Sequence, residues 1–174
     1  MTINAIVAVD DRLGIGANNT MPWPHNKADM KWFRSNTDGG TVLMGRRTWE
    51  SIGSKNLPNR INVVVTSNEL SDPVPRGVLT GSAERHVRPH WVMEGDMGII
   101  LEDLQRMYAD RTVWVIGGAN IFRQALPFVE KLYLTTIPGK YDCDVFLNKK
   151  EVDDFSKVLY NQTIDDTRFE IRSR

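Results

Sequence analysis

The sequence has a single cysteine, no excess of charge and no long apolar run. One cysteine, Cys143, excludes an internal disulfide and a cysteine-based zinc site, and is typical of a reducing compartment. Twenty-two Lys plus Arg balance twenty-two Asp plus Glu, so the basic excess of nucleic-acid-binding or anionic-membrane-binding proteins is lacking. The longest apolar stretches, Ala5–Val9 and Val113–Ile116, are too short to span a bilayer.

The amino-acid composition is that of an ordinary globular protein. Of the 174 residues, 41% are hydrophobic and 25% are charged. We therefore expect one domain spanning residues 1–174, located in the cytoplasm, with no nucleic-acid or membrane partner. His86 and His90 have the spacing of a helical zinc pair, but Pro89 between them would break the helix. No metal site is expected.

Short apolar segments that alternate with helical patterns predict an α/β fold. Strands are predicted at Ile3–Val9, Thr41–Met44, Asn62–Thr66, Val113–Ile116 and Lys131–Ile137. Helices are predicted at Ala28–Ser35, Arg46–Ile52, Ile99–Tyr108 and between Gly118 and Pro127. A closing antiparallel pair is predicted at Phe155–Asn161 and Arg168–Arg172. The expected architecture has three layers: a mostly parallel central sheet flanked by helices, with an antiparallel C-terminal edge.

Two segments rich in glycine, asparagine or proline interrupt this pattern. Asp11–Pro24 is predicted to be a long mobile loop, and loops of this length in compact domains are often functional. Ser67–Gly98 has no clear periodicity, and a strand is indicated only within Val87–Val92.

Glycine occurs in two strand-to-helix turns, at Gly45 and at Gly117-Gly118. Glycine allows a phosphate to approach the backbone, and a helix N-terminus offers unpaired N–H groups. Two such turns on one sheet would suit the two ends of a dinucleotide, although a lone Gly-Gly pair more often only makes a tight turn. A standard Rossmann site is not supported, because Asn19 stands where the third glycine after Gly14 and Gly16 belongs.

Asp29 and Arg60 are candidate ligand-binding residues. An aspartate in the first turn of a helix most often only interacts with the helix dipole. The apolar neighbours Met30 and Phe33, however, predict partial burial of Asp29 and a raised pKa. Arg60 follows Leu57-Pro58-Asn59 and is suited to a bidentate clamp on a carboxylate, although a surface ion pair is the commoner fate of an arginine.

Seven segments, in order along nearly the whole chain, resemble the dihydrofolate reductase family. They are Ile6–Asp10, Met21–Trp23, Ala28–Phe33, Met44–Gly53, Leu57–Arg60, Val115–Ala119 and Leu132–Thr135. The resemblance implies an enzyme that reduces dihydrofolate to tetrahydrofolate with NADPH and supports one-carbon metabolism and thymidylate synthesis. Its expected partners are dihydrofolate and antifolate-type small molecules, and it is expected to be a monomer.

The resemblance also assigns roles to residues. Asp29 would hold the pterin edge and favour protonation of N5, and Thr135 would hydrogen-bond its carboxylate. Trp23 would help hold the water that delivers the proton, and Met21 would shield the site. The other residues expected to contact substrate are Ile6, Val7, Met30, Phe33, Ile52, Leu57, Arg60 and Ile116. Those expected to contact NADPH are Ala8, Ile15, Gly16, Gly45, Arg46, Arg47, Thr48, Thr66, Ser67, Gly117, Gly118, Ala119, Asn120, Ile121 and Phe122.

Two structural expectations come with the resemblance. The peptide bond between Gly117 and Gly118 would be cis, and the Asp11–Pro24 loop would close over the nicotinamide. The sequence departs from the family at Asn120, which stands where an arginine can help bind the cofactor's phosphate.

Two other functions are compatible with the same fold. One is a reductase acting on a different heterocycle, such as the pyrimidine reductase of riboflavin synthesis. Asp29 with Arg60 favours a folate, because a ribityl phosphate lacks both the amidine-like edge and the glutamate carboxylate. The other is a non-catalytic binding module, which would be expected to lose Asp29 or a glycine of the two turns.

Overall fold

The computed structural model of the chain describes residues 2–17, 20–67 and 88–174. In chain order the elements are β1 Ile3–Val9, β2 Gly14–Gly16, α1 Lys27–Thr37, β3 Thr41–Gly45, α2 Arg46–Ser51, β4 Ile61–Val65, β5 Trp91–Met93, α3 Met97–Met107, β6 Val113–Gly117, α4 Ala119–Ala125, β7 Lys131–Thr136, β8 Val145–Phe146, α5 Lys149–Asp153, β9 Lys157–Ile164 and β10 Thr167–Ser173. A 3-10 turn, Leu126–Phe128, follows α4. None of the described helices combines the length and apolar character that a bilayer span requires.

Eight strands form the central sheet in the order β5-β4-β3-β6-β1-β7-β10-β9. In this order, the first six strands pair in parallel with their neighbours. Strand β10 pairs antiparallel with both β7 and β9. The predicted fold class is confirmed: the sheet is mostly parallel, helices flank it, and its C-terminal edge is antiparallel.

Each face of the sheet buries its own apolar cluster, because successive side chains of a strand point to opposite faces. On one face, Ile3, Ala5 and Val9 of β1 pack with residues of α3 and α4. On the other face, Ile6 packs with Val42 and Met44 of β3 and with residues of α1 and α2. Burial on both faces explains why the central strands are near-continuous apolar runs in the sequence.

Most predicted elements are present with shifted ends. Helix α3 starts at Met97 rather than Ile99, because the Asp96 side chain caps it by accepting a hydrogen bond from the Ile99 N–H at 3.1 Å. Helix α1 is longer than predicted at both ends, and its N-cap is Asn26.

The prediction that Asp11–Pro24 is only a loop is wrong. It contains β2, which pairs antiparallel with β8 in a separate two-stranded sheet. Strands of two or three residues carry too little periodicity to be recognised from sequence, and glycine masks it further. In the second irregular segment, the strand is β5 at Trp91–Met93; Val87, His86 and most of Ser67–Gly98 lie outside the described residues.

Candidate active site

The sheet topology places the two glycine turns side by side. Strands β3 and β6 are parallel neighbours, with Met44 in register with Gly117, so Gly45 and Gly118 leave the sheet at the same edge. Gly45 precedes α2 and Gly118 precedes α4. The Gly117–Gly118 peptide bond is cis, as the resemblance predicts.

Two of the three turn glycines leave little room for any other residue. A Cβ atom at Gly45 would lie 3.0 Å from Ile121 Cγ1, and Gly117 has φ of +128°, which side chains rarely adopt. Thr48 Oγ1 lies 3.5 Å and 3.7 Å from the positions that Cβ atoms would take at Gly117 and Gly118. Backbone and a threonine hydroxyl therefore form a cradle at this edge, which fits the phosphates of a dinucleotide.

Seven of the other predicted cofactor residues differ in their exposure and contacts. Arg47, Ser67 and Asn120 are exposed near the turns, whereas Arg46 is half-buried and its Nη1 lies 3.1 Å from Glu50 Oε1. The Thr66 N–H donates to the Met93 carbonyl at 3.0 Å. The side chains of Ile121 and Phe122 are buried in the core, so only their backbone is available to a ligand.

The predicted substrate residues come together on the opposite face from α3 and α4. One apolar cluster contains Ile6 of β1, Phe33 of α1, Ile52 at the C-cap of α2, Leu57 of the following loop and Ile116 of β6. This cluster forms an apolar wall that suits a flat aromatic ring system.

Two predicted substrate residues lie outside that wall. Val7 follows Ile6 in β1 and packs against the other cluster, so its side chain points away from Ile6. Met30 is largely exposed on α1. Only the backbone of Val7 is available to a substrate on the Ile6 face.

Asp29 is held in the first turn of α1. The Asn26 side chain caps the helix by accepting a hydrogen bond from the Asp29 N–H at 3.0 Å, and its Nδ2 donates to Thr167 Oγ1 at 2.9 Å. Burial raises the pKa of the Asp29 carboxyl, and a contact with the Thr135 hydroxyl opposes this rise. The predicted direction of the pKa shift is confirmed.

Thr135 is completely buried on β7, beside Ala8 of β1 in the parallel ladder. Its hydroxyl interacts with Asp29, but the geometry falls short of a normal hydrogen bond, so Oγ1 lacks a full partner among the described residues. A half-buried carboxyl and an unsatisfied buried hydroxyl therefore lie together, and this arrangement suits a ligand that brings its own hydrogen-bond donors.

Arg60 does not form the commoner surface ion pair. Only 8% of the residue is exposed, its Nε donates to the Pro58 carbonyl at 2.9 Å, and its Nη1 donates to Thr37 Oγ1 at 2.9 Å. The guanidinium carbon lies 5.9 Å from the centre of the Phe33 ring. Burial lowers the pKa of Arg60, Asp38 raises it and Arg34 lowers it further. The guanidinium is therefore held in place at the end of the apolar wall.

Sequence reasoning missed the buried carboxylate of Asp10. Its Oδ1 accepts hydrogen bonds from the N–H groups of Arg12 and Gly14, both at 2.8 Å, and its Oδ2 accepts one from the Tyr141 N–H at 3.0 Å. The Cys143 thiol lies 3.7 Å from Oδ2. The Asp10-Asp11 pair looks like a strand terminator, and only the residues 131 and 133 positions away reveal its role.

Asp10 joins the segment that contains Ile15, Gly16, Met21 and Trp23 to the segment after β7. The Asp144 N–H donates to the Gly16 carbonyl at 2.9 Å. Trp23 is buried, and its ring meets that of Tyr141 edge-on at 6.0 Å. Met21, by contrast, is largely exposed.

Comparisons with sequence models and with known proteins point to the same family. A sequence model described as dihydrofolate reductase matches residues 2–174. The chain is 40% identical to a dihydrofolate reductase of Haemophilus influenzae over 147 residues, which cover 84% of this chain and 78% of that protein. It is 32% identical to a dihydrofolate reductase of Buchnera aphidicola over 162 residues, covering 93% of this chain and 88% of that protein.

A solved structure extends the similarity to three dimensions. It is a dihydrofolate reductase from Enterococcus faecalis in complex with NADP(H) and RAB-propyl, with a TM-score of 0.74 and 26% identity. The alignment covers 99% of this chain and 96% of the Enterococcus chain. Sequence and structure agree, and the chain belongs to the dihydrofolate reductase family.

Proposed function

We propose that this oxidoreductase transfers a hydride from C4 of the NADPH nicotinamide to C6 of dihydrofolate, while N5 takes a proton from solvent. The products are tetrahydrofolate and NADP⁺. The observation that carries the proposal is the half-buried Asp29 carboxyl facing the unsatisfied Thr135 hydroxyl, beside the apolar wall that ends at Arg60.

In this proposal, Asp29 binds the pterin and adjusts its basicity. An ionised carboxylate accepts two hydrogen bonds from the ring nitrogen and the 2-amino group of the pterin, and Thr135 completes the contact. The negative charge favours protonation at N5, with Trp23 helping to hold the water that delivers the proton. Met21 and the rest of the Asp11–Pro24 segment exclude other water.

Arg60 supplies the second anchor, for the α-carboxylate of the glutamate tail. Its guanidinium is already desolvated and oriented by Pro58 and Thr37, so little side-chain entropy is lost on binding. Leu57 and Phe33 pack against the aminobenzoyl group between the two anchors.

NADPH is the cofactor, as the resemblance predicts, and the two glycine turns hold its phosphates. Arg46 and Ser67 bind the adenosine 2′-phosphate. To do so, Arg46 gives up its ion pair with Glu50. We therefore expect NADPH to be preferred over NADH, with a preference reduced by the missing arginine at Asn120. An unchanged ratio of kcat/KM for the two cofactors in Arg46→Ala would remove Arg46 from this role.

One experiment tests substrate and anchor together. Oxidation of NADPH is followed with dihydrofolate and with a dihydropterin that lacks the glutamate tail, for wild type and Arg60→Ala. We expect Arg60→Ala to raise KM for dihydrofolate by tens- to about a hundredfold and to spare the tail-free pterin. Equal losses with both substrates would show that Arg60 is structural.

The same assay separates the folate reductase from its nearest rival. Reduction of an aminopyrimidine ribosyl phosphate to its ribityl product, with no reaction of dihydrofolate, would replace the proposal by the pyrimidine reductase of riboflavin synthesis. We further propose that residues 1–174 form one domain that acts in the cytoplasm, in one-carbon metabolism and thymidylate synthesis.

A further inference from the structure

The side chain of Asn26 connects the helix that carries Asp29 to a distant strand. Its Oδ1 accepts a hydrogen bond from the Asp29 N–H at 3.0 Å, and its Nδ2 donates one to Thr167 Oγ1 at 2.9 Å. Thr167 is the first residue of β10, lies 141 positions along the chain from Asn26 and is only 2% exposed. One side chain therefore joins the backbone of Asp29 to a buried point in the central sheet.

The two contacts use opposite ends of the Asn26 amide. The Asp29 N–H can only donate, so the amide oxygen must face it and the NH₂ group must face Thr167. A serine caps a helix about as well as an asparagine does, but its single hydroxyl has no second group with which to reach Thr167. Capping the helix and linking it to β10 are therefore two separable functions of this side chain.

The same part of the sheet contacts α1 at two further points. Phe169 of β10 and Thr135 of β7 are partners in the antiparallel ladder, and Thr167 lies two residues before Phe169. Their three side chains consequently share one face of the sheet. Phe169 packs on Trp32 of α1 with ring centres 5.1 Å apart, and Thr135 contacts the Asp29 carboxyl. Strands β7 and β10 together set the position of α1.

The Asp29 carboxylate itself is weakly held. Asp29 is half-buried, and its contact with the Thr135 hydroxyl falls short of a normal hydrogen bond. Its position therefore depends on the backbone of the first helical turn, whose N–H groups lack partners within the helix. The neighbours of Asn26 in the chain, His25 and Lys27, are exposed and pack little against the sheet. The bond from Asn26 to β10 thus bears directly on where the carboxylate lies.

We propose that Asn26 is a positioning residue for dihydrofolate reduction, which acts by tying the first turn of α1 to Thr167. The inference rests on the proposed function, because the position that matters is that of Asp29 against the pterin. Two hydrogen bonds to one carboxylate require both oxygens to be well placed, and a displacement of about 1 Å can cost up to about a hundredfold in rate. Asn26 acts through Asp29 rather than on the substrate.

Two variants break the link and leave the helix capped. Asn26→Ser keeps an oxygen for the Asp29 N–H, and Thr167→Val removes the hydroxyl that accepts from Nδ2. We expect each variant to lower kcat/KM for dihydrofolate by about three- to tenfold, as is usual for one uncharged hydrogen bond. KM for NADPH should stay unchanged, because the glycine turns lie on β3 and β6, away from this link.

Asn148→Ser and Thr41→Val are the matched controls. Asn148 caps α5 in the same way, accepting from the Lys150 N–H at 2.9 Å, and α5 carries no candidate site residue. Thr41 is fully buried at the start of β3, and its hydroxyl has no hydrogen-bond partner among the described residues. Both controls should leave kcat/KM for dihydrofolate unchanged.

The double variant tests whether Asn26 and Thr167 act as a unit. Because the two single changes break the same hydrogen bond, Asn26→Ser with Thr167→Val should lose no more activity than the worse single variant. Losses that multiply would show that the two residues act independently and would overturn the proposal.

Stability measurements separate positioning from a purely structural role. Circular dichroism and urea denaturation establish that each variant is folded, and Asn26→Ser decides alone if Thr167→Val does not fold. A folded Asn26→Ser enzyme with unchanged kcat/KM for dihydrofolate, or with an equal loss in the use of NADPH, would overturn the proposal and leave the proposed function intact. A wild type that does not reduce dihydrofolate would instead overturn the proposed function, and this inference with it.

Discussion

The carboxylates of buried Asp10 and half-buried Asp29 have pKa values shifted in opposite directions. Burial by itself raises the pKa of both groups. At Asp10 three backbone N–H donors and the Cys143 thiol outweigh burial and lower the pKa. At Asp29 only the imperfect contact with Thr135 opposes burial, and the pKa is raised.

The difference shows how one chain builds a structural and a functional carboxylate. The acceptor sites of Asp10 are used by its own backbone, because the turn after β1 and the segment after β7 converge on it. Asp29 lies at a helix start whose N–H is capped by Asn26, so its carboxylate retains capacity for a ligand. The supply of hydrogen-bond donors is what turns the pKa shift of Asp10 downward, and Asp29 lacks such a supply.

The largest effect is expected from Asp29→Asn. The amide keeps the shape but not the charge that holds the pterin edge and favours N5 protonation, and loss of such a preorganised group costs on the order of 10²–10³ in rate. Hydride-transfer rates at neutral pH measure the loss, which should shrink at low pH. Activity within a few-fold of wild type would contradict the role of Asp29.

Asp10→Asn should instead act on stability. Either orientation of the amide points its NH₂ group at a backbone N–H that needs an acceptor, which costs about 2 kcal/mol of the free energy of unfolding. Urea denaturation measures this cost.

Asp11→Asn is the matched control for Asp10→Asn. Asp11 joins the same two segments but is exposed, with Oδ2 accepting from the Gly139 N–H at 3.0 Å. Its loss should cost less than about 1 kcal/mol, because water replaces the partner of an exposed group. Equal losses in the two variants would contradict the special role of Asp10.

The two carboxylates should also give stability opposite dependences on pH. The pKa of Asp10 lies below its ordinary value of 3.8, so its contribution is present above pH 3.8 and is lost as pH falls through the folded value. The pKa of Asp29 lies above 3.8, so its contribution is present below pH 3.8 and is lost as pH rises through the folded value.

Unfolding free energies across this pH range, compared with wild type, measure both contributions. Relative to wild type, Asp29→Asn should gain stability as the pH rises above 3.8. Asp10→Asn should approach wild type as the pH falls below that value. The same sign for both variants would show that burial alone controls these groups.

The smallest effect is expected from Thr135→Val, which keeps the shape of the side chain. Removing the hydroxyl should raise the pKa of Asp29 further, because the one contact that opposes burial is lost. We expect the acidic limb of the pH–rate profile to move to higher pH, with a few-fold loss of kcat/KM for dihydrofolate. A profile that does not move would show that Thr135 is only a packing residue.

Local patterns in the sequence drew attention to residues that the structure brings together at the candidate site. The glycine turns, Asp29 beside apolar residues and Arg60 after Leu57-Pro58-Asn59 all appear within short windows. Their chemistry depends on residue type and on the next few neighbours, which a sequence shows directly. The Asp10 network could not be predicted in this way, because two of its four donors, Tyr141 and Cys143, lie 131 and 133 residues away.

The sequence by itself determined the order of strands and helices and the residue types at the candidate site. It could do so because apolar periodicity and turn residues act over a few positions. Only the tertiary structure decided that Gly45 lies beside Gly117, and that hydrogen-bond donors occupy Asp10 but not Asp29. Strand order and the supply of hydrogen-bond donors arise from contacts between distant segments, and no local pattern encodes them.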